Sequence, residues 1–142
     1  MKRGGRTAMA GRIGSWLAAL MLSFLGGAAL AETAPDWQAA PVRLMMVEQQ
    51  GCVYCAAWDA EIGPGFGKSA EGRTAPLLRV DIDGPWPDGI VLDRSPSMTP
   101  TFILLKRGVE LGRVEGYVGD TYFYPVLAEM MQEAGVPVRQ GQ

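Results

Sequence analysis

The stretch EQQGCVYCAAWDAE, residues 48–61, holds the only two cysteines of the chain, three positions apart. A bond between them would enclose only Val53 and Tyr54, so it could staple nothing distant. The pair therefore does redox chemistry, holds a metal, or is idle. Its flanks set its place in the fold. Before it, VRLMMV (residues 42–47) is a compact apolar run between Pro41 and the polar EQQG, which reads as a buried strand. After it, AAWDAEI is built of good helix formers. The cysteines thus stand at a strand-to-helix junction, with Cys52 near the helix N-terminus.

Zinc asks for about four ligands, and the chain has no other cysteine and no histidine. Two thiolates completed by carboxylates would make a poor site, which argues against a metal and against a metallochaperone. The lack of histidine also removes histidine triads, histidine bases and haem attachment. Redox chemistry remains, and the position supplies its physics. A thiol attacks a disulfide only as its thiolate, an anion that the unpaired N–H groups at a helix N-terminus stabilise. Cys52 is then the attacking sulfur. Cys55, one helical turn further in, is placed to attack the resulting mixed disulfide and release the partner.

The first residues put this chemistry outside the cytoplasm. Lys2, Arg3, Arg6 and Arg12 carry no acidic neighbour; a run of apolar and small residues follows, ending on Ala29-Leu30-Ala31. That order reads as a cleavable signal peptide over residues 1–31, without the twin arginine of the folded-export route. An uncleaved membrane anchor is the alternative, because the run approaches the ~20 residues that span a bilayer. Cleavage would leave 111 of the 142 residues, enough for one domain. It would also remove four of 13 basic residues and none of 15 acidic ones, leaving nine against 15, a net charge of −6. Such an acidic domain has no electrostatic footprint for nucleic acid. One short cysteine pair is likewise no disulfide framework.

Residues 32–41 read as a linker punctuated by Pro35 and Pro41, with Trp37 packing back on a domain that spans 42–142. GPGFGKSAEGRTAP (63–76) breaks the first helix, with one further turn around Lys68–Gly72. LLRVDID (77–83) reads as a second strand, and GPWPDGIVLDRSPSM (84–98) as irregular because of its prolines. TFILLK (101–106) reads as a buried strand and ELGRVEG (110–116) as a half-buried one, joined as a hairpin through Lys106-Arg107-Gly108. In the latter, Leu111, Arg113 and Glu115 alternate with Gly112 and Val114. Asp120 is a candidate cap for a last helix whose apolar face is Phe123, Leu127, Met130 and Ala134. Pro125 suggests that this helix starts later, with the proline in its first turn. A helix between the first two strands implies a parallel pair, and the hairpin adds an antiparallel edge.

SMTPTFILL (97–105) places Thr99-Pro100 at the head of a buried strand, where a proline forfeits least. Together with the CVYC helix, LLRVDID, the hairpin and Gly116, it resembles the thioredoxin superfamily over most of 42–134. The resemblance implies an α/β thioredoxin-like fold, a central mixed β-sheet flanked by helices. It implies a redox-active Cys52–Cys55 disulfide with no other cofactor, and a cis Thr99–Pro100 bond that presents backbone to an extended partner strand. Threonine before the proline and Tyr54 in the dipeptide are similar to the disulfide isomerases and reductases among Dsb proteins. VEQQGCVYCAAWDAEIGPGF, TPTFILL and GRVEGY are more similar still to SoxS-type periplasmic thioredoxins of sulfur-oxidation systems. That implies a protein disulfide or modified thiol as substrate, for instance on a sulfur-oxidation carrier protein. It also implies a membrane electron donor of the DsbD or CcdA kind.

The departures are specific. Gly51 stands where thioredoxin has tryptophan, and Met46 where it has a buried aspartate. Glu48 either takes over proton transfer or is a solvated carboxylate at a strand end. Tyr54 either packs on the substrate or shields the dithiol. Trp58 and the Met45-Met46 pair read as core. Val53 and Tyr54 bring neither charge nor imidazole to a Cys52 thiolate, which argues against a powerful oxidant. A reductant is thus expected, with an isomerase or oxidant and a non-catalytic binding module as rivals.

Overall fold

The computed structural model describes residues 35–138. The segment read as a signal peptide lies outside the described residues, and no helix within them is long and apolar enough to cross a membrane. Four strands form one sheet in the order β2-β1-β3-β4: β1 is Val42–Glu48, β2 Leu77–Asp81, β3 Thr101–Lys106 and β4 Val109–Glu115. β2 runs parallel to β1, and β3 is antiparallel to both β1 and β4. The central pair is apolar throughout: Leu44–Val47 and Thr101–Leu105 are all essentially sealed from water. Burial on both faces, not alternation, is what makes VRLMMV and TFILL continuous apolar runs.

The helices are α1 (Val53–Glu61), α2 (Gly63–Phe66), α3 (Ala70–Thr74) and α4 (Asp120–Glu133). They bury one sheet face. Leu44, Met46, Phe102 and Leu104 meet Trp58, Ile62, Phe66, Ala75, Phe123, Leu127 and Met131 there. Trp58 is central, with ring centroids 5.6 Å from Phe102 and 5.8 Å from both Phe66 and Phe123. Among the described residues, no helix covers the opposite face (Met45, Val47, Val80, Ile103, Leu105). Trp37 and the irregular stretch containing Trp86, Ile90 and Leu92 lie on it instead.

Two expectations need correcting. α4 begins at Asp120, with Gly119 at the cap position and no side-chain cap, and Pro125 lies inside it. The proline is tolerated because it faces solvent, while Phe123 and Leu127 anchor both sides of it in the core. The alternation read in β4 is broken by a bulge. Leu104 pairs with Gly112 but Leu105 pairs with Glu110, so Leu111 is the extra residue. Glu110 is buried and Leu111 exposed, opposite to what their polarity suggests.

The β3–β4 hairpin closes through Arg107 and Gly108, with φ of 51° and 85°, the double left-handed turn that matches strand twist. Gly108 must be glycine for a second reason: a Cβ there would lie 1.9 Å from the Gly89 carbonyl oxygen. That close approach, with a Val91 N–H to Gly108 carbonyl bond of 2.9 Å, seats the irregular segment against the hairpin.

Candidate functional site

Three chain segments converge at one end of the sheet. β1 ends at Glu48, and its register partners at that end are Asp81 of β2 and, one residue earlier, Thr101 of β3 with Val47. The turn 49–52 that leads into α1 therefore stands beside Pro100, the residue just before β3. The segment after β4 joins them, since the Gly116 N–H donates to the Pro100 carbonyl at 2.8 Å. The cysteines and Thr99-Pro100, far apart in sequence, are brought to the same end of the sheet by strand pairing.

The turn is shaped by Gly51, whose φ of +79° puts it in the left-handed region. The Cys52 N–H donates back to the Gln49 carbonyl at 3.1 Å. Cys52 is the N-cap of α1, extended at φ −70° and ψ 108°, and its Sγ accepts from the Cys55 N–H at 3.1 Å. A sulfur that bears negative charge at this position meets an N–H already aimed at it, together with the positive end of the helix. Cys52 is partly exposed and Cys55 only 4% exposed. The two are joined as a disulfide, with Cα atoms 5.3 Å apart. The asymmetry decides the chemistry available. An incoming group meets Cys52 first, and Cys55 can act only from behind.

Between the sulfurs in sequence, Val53 is 72% and Tyr54 62% exposed, and Met98, just before Thr99-Pro100, is uncovered too. Such side chains make an apolar rim. Thr99 is half-buried, Pro100 is buried, and the bond between them is cis, as is Gly84–Pro85.

Glu48 is neither free nor merely solvated. Arg79 donates to it through Nε at 3.0 Å and again through Nη2, while reaching Asp59 on α1 at 2.6 and 3.0 Å. The Arg79 guanidinium, bonded to two carboxylates, is held even more firmly protonated than usual. This bridge ties the end of β1 to the second turn of α1. Met46 and Glu48 come opposite Arg79 and Asp81 only through the β1–β2 register, which no local pattern announces. Met46 is fully buried in the apolar cluster that contains Cys55 and Trp58. Trp58 is core, and among the described residues its indole N–H has no hydrogen-bond partner.

Two further polar contacts frame the site. Tyr117, in the segment after β4, donates its hydroxyl to Glu61 on α1 at 2.6 Å; burial, then the bond to Glu61, hold that phenol neutral well above its usual range. On the other sheet face, Glu110 and Arg113 form an ion pair with side chains only 2% and 6% exposed. Neither was legible as a site element, because one depends on tertiary approach and the other on the β4 bulge.

Comparison with solved structures gives a clear relative. The crystal structure of the periplasmic thioredoxin SoxS from Paracoccus pantotrophus, in its reduced form, matches with 48% sequence identity and a TM-score of 0.64. The match covers 66% of this chain and 98% of SoxS. The thioredoxins of Fasciola hepatica (17% identity, TM-score 0.44, 64% of this chain and 82% of that one) and Malassezia sympodialis (21%, 0.42, 67% and 79%) are too distant to bear on the argument. No family model and no curated protein matches. Identity of this degree over nearly the whole of SoxS, with the fold and the Cys-x-x-Cys disulfide described above, means that the chain belongs to the thioredoxin family as a SoxS-like thiol-disulfide redox protein.

Proposed function

We propose that this protein is an exported reductant of disulfide- or persulfide-blocked cysteines on a partner protein. The observation that carries the reading is the unequal exposure of the two sulfurs at the α1 N-terminus, Cys52 open and Cys55 buried behind it. The reduced Cys52 thiolate attacks one sulfur of a partner disulfide. The partner S–S bond breaks, its second sulfur leaves as a thiolate, and a Cys52–partner mixed disulfide remains. The Cys55 thiolate then attacks the Cys52 sulfur, forming the Cys52–Cys55 bond and expelling the partner's other thiolate. Two electrons have passed to the partner. With a persulfide the same steps move the outer sulfur onto Cys52 and release it as hydrosulfide.

Cys55 needs a base, and the buried carboxylate of thioredoxin is here Met46. Its proton therefore leaves to solvent or to the departing thiolate, which suits a slower resolving step. Thr99 and Pro100 align the partner backbone, and Tyr54 supplies an apolar contact on the rim. Export is supported by the basic, apolar and small-residue order of residues 1–31 and by the periplasmic location of SoxS. A reductant there must be recharged, so we assign it a membrane electron donor of the DsbD or CcdA kind. A sulfur-oxidation carrier protein is the proposed substrate.

The test is a Cys55→Ser variant expressed in a native periplasm. Non-reducing gels with mass spectrometry should identify a small set of proteins held through Cys52. No trapped partner would leave a binding module as the better reading, and a broad collection of folding intermediates would favour an isomerase.

A further inference from the structure

We propose that the buried Glu110–Arg113 pair clamps the segment that carries Thr99-Pro100, which makes both residues positioning residues for protein substrates specifically. The inference rests on the reading that Thr99-Pro100 aligns the partner. In a regular strand, residues three apart point to opposite faces. The extra Leu111 reverses this. Gly112 shares a face with Leu104, whereas Glu110 and Arg113 share the other with Leu105 and Ile103. The bulge thus aims both charges at the face on which the irregular stretch of Trp86, Ile90 and Leu92 lies.

What they meet there is backbone. Residues 84–98 have no ladder of their own apart from one bridge, Val91 to Val109, yet their polar groups must be satisfied. Glu110 accepts from the Asp93 N–H at 3.0 Å, and Arg113 donates to the Arg94 carbonyl at 2.7 Å. The two side chains bind each other through contacts of 2.7 Å. Arg94 adds a bond of 2.8 Å to Glu115, whose register partner is Thr101. At Met98 and Pro100 the chain is fixed again, by the Thr101 hydroxyl on the Met98 carbonyl and by the Gly116 N–H on the Pro100 carbonyl, both 2.8 Å.

Met98-Thr99-Pro100 is therefore the end of a short strap pinned to β4 at one end, and to Gly116 and the start of β3 at the other. Without the clamp, the strap keeps its Pro100 end and the exposed Arg94–Glu115 ion pair, but loses the two buried bonds that hold the Asp93 and Arg94 backbone. A partner strand laid along Thr99 needs that backbone held still, and a misplacement near 1 Å suffices to slow a positioned reaction strongly. A small disulfide that reaches Cys52 alone needs no strap. The pair touches neither sulfur, since Cys52 and Cys55 pack on the opposite sheet face.

The experiment compares two oxidants of the reduced protein, insulin as a protein disulfide and Ellman's reagent as a small one. The variants are the charge-free double substitution Glu110→Leu with Arg113→Met, and the milder Arg113→Lys, which keeps the charge and loses the fork. Circular dichroism establishes that each is folded. The expected result is a KM for insulin raised on the order of tenfold, with the rate toward Ellman's reagent and the redox potential unchanged. Equal loss on both substrates, or no loss on either, would overturn the clamp. Pro100→Ala is the control for the reading beneath it. Insulin turnover impaired by Pro100→Ala but not by the clamp variants sinks the clamp alone. Insulin turnover indifferent to Pro100→Ala, or absent in the unsubstituted chain, sinks both.

Discussion

Replacing Trp58 tests the way α1, and with it the dithiol, is anchored to the sheet. Trp58 has no exposed surface and sits among Phe66, Phe102 and Phe123. A buried tryptophan removes about 150–250 Å² from water, worth ~4–6 kcal/mol at ~25 cal/mol per Å². Denatured chains bury part of this already, and aromatic truncations in cores cost about 3–5 kcal/mol. Trp58→Ala should therefore lose about 4 kcal/mol, a large part of the ~5–15 kcal/mol that holds a domain folded. Trp58→Phe separates packing from polarity. It keeps a ring among the same neighbours and gives up only about 50 Å², or ~1–1.5 kcal/mol. No hydrogen bond is lost with the indole, because its N–H has no partner among the described residues. Urea unfolding of the disulfide form, followed by circular dichroism, reads both values from the midpoint at constant slope. A Phe variant as damaging as Ala would refute the reasoning, since it would mean that the indole N–H makes a bond the structure lacks.

Other outcomes follow from the same geometry. Arg113 and the Asp93 N–H hold the Glu110 carboxyl below the usual carboxylate range. Its stabilisation is then fully present above an unfolded value of ~4.3 and is lost as the pH falls through the folded value. Urea midpoints measured from pH 6 down to pH 2.5 should show that acid-side loss, and Glu110→Gln should flatten it. Arg79→Met removes an ion-pair bridge, but the guanidinium side chain is 38% exposed, so the cost should stay within ~0–1 kcal/mol; a loss above ~2 kcal/mol would contradict this. Gly108→Ala forces a left-handed alanine against the Gly89 carbonyl and should cost about 2–4 kcal/mol, whereas the same change at the unobstructed Gly65 should cost little.

The parts of the fold written in local pattern were legible from the sequence. VRLMMV and TFILLK are strands because burial on both faces demands uninterrupted apolar residues, and the CVYC helix starts where the strand stops. What was not legible depends on register. A one-residue bulge at Leu111 turned Glu110 inward, and no alternation pattern announces an inserted residue. The fate of Glu48 hung on Arg79, 31 positions away, and became fixed only once β2 lay beside β1. Pro125 misled for another reason. The propensity against interior proline is local, and the Phe123 and Leu127 contacts that outweigh it are tertiary.

The division of labour between the sulfurs is open to one direct measurement. The reduced protein is treated with substoichiometric iodoacetamide at graded pH, and the site of the first alkylation is located by peptide mass spectrometry. The accessible, helix-capping Cys52 should take the label first and still react below the pH range of an ordinary thiol, with Cys55 modified only after unfolding. Equal labelling of both cysteines, or label on Cys55 first, would contradict the account.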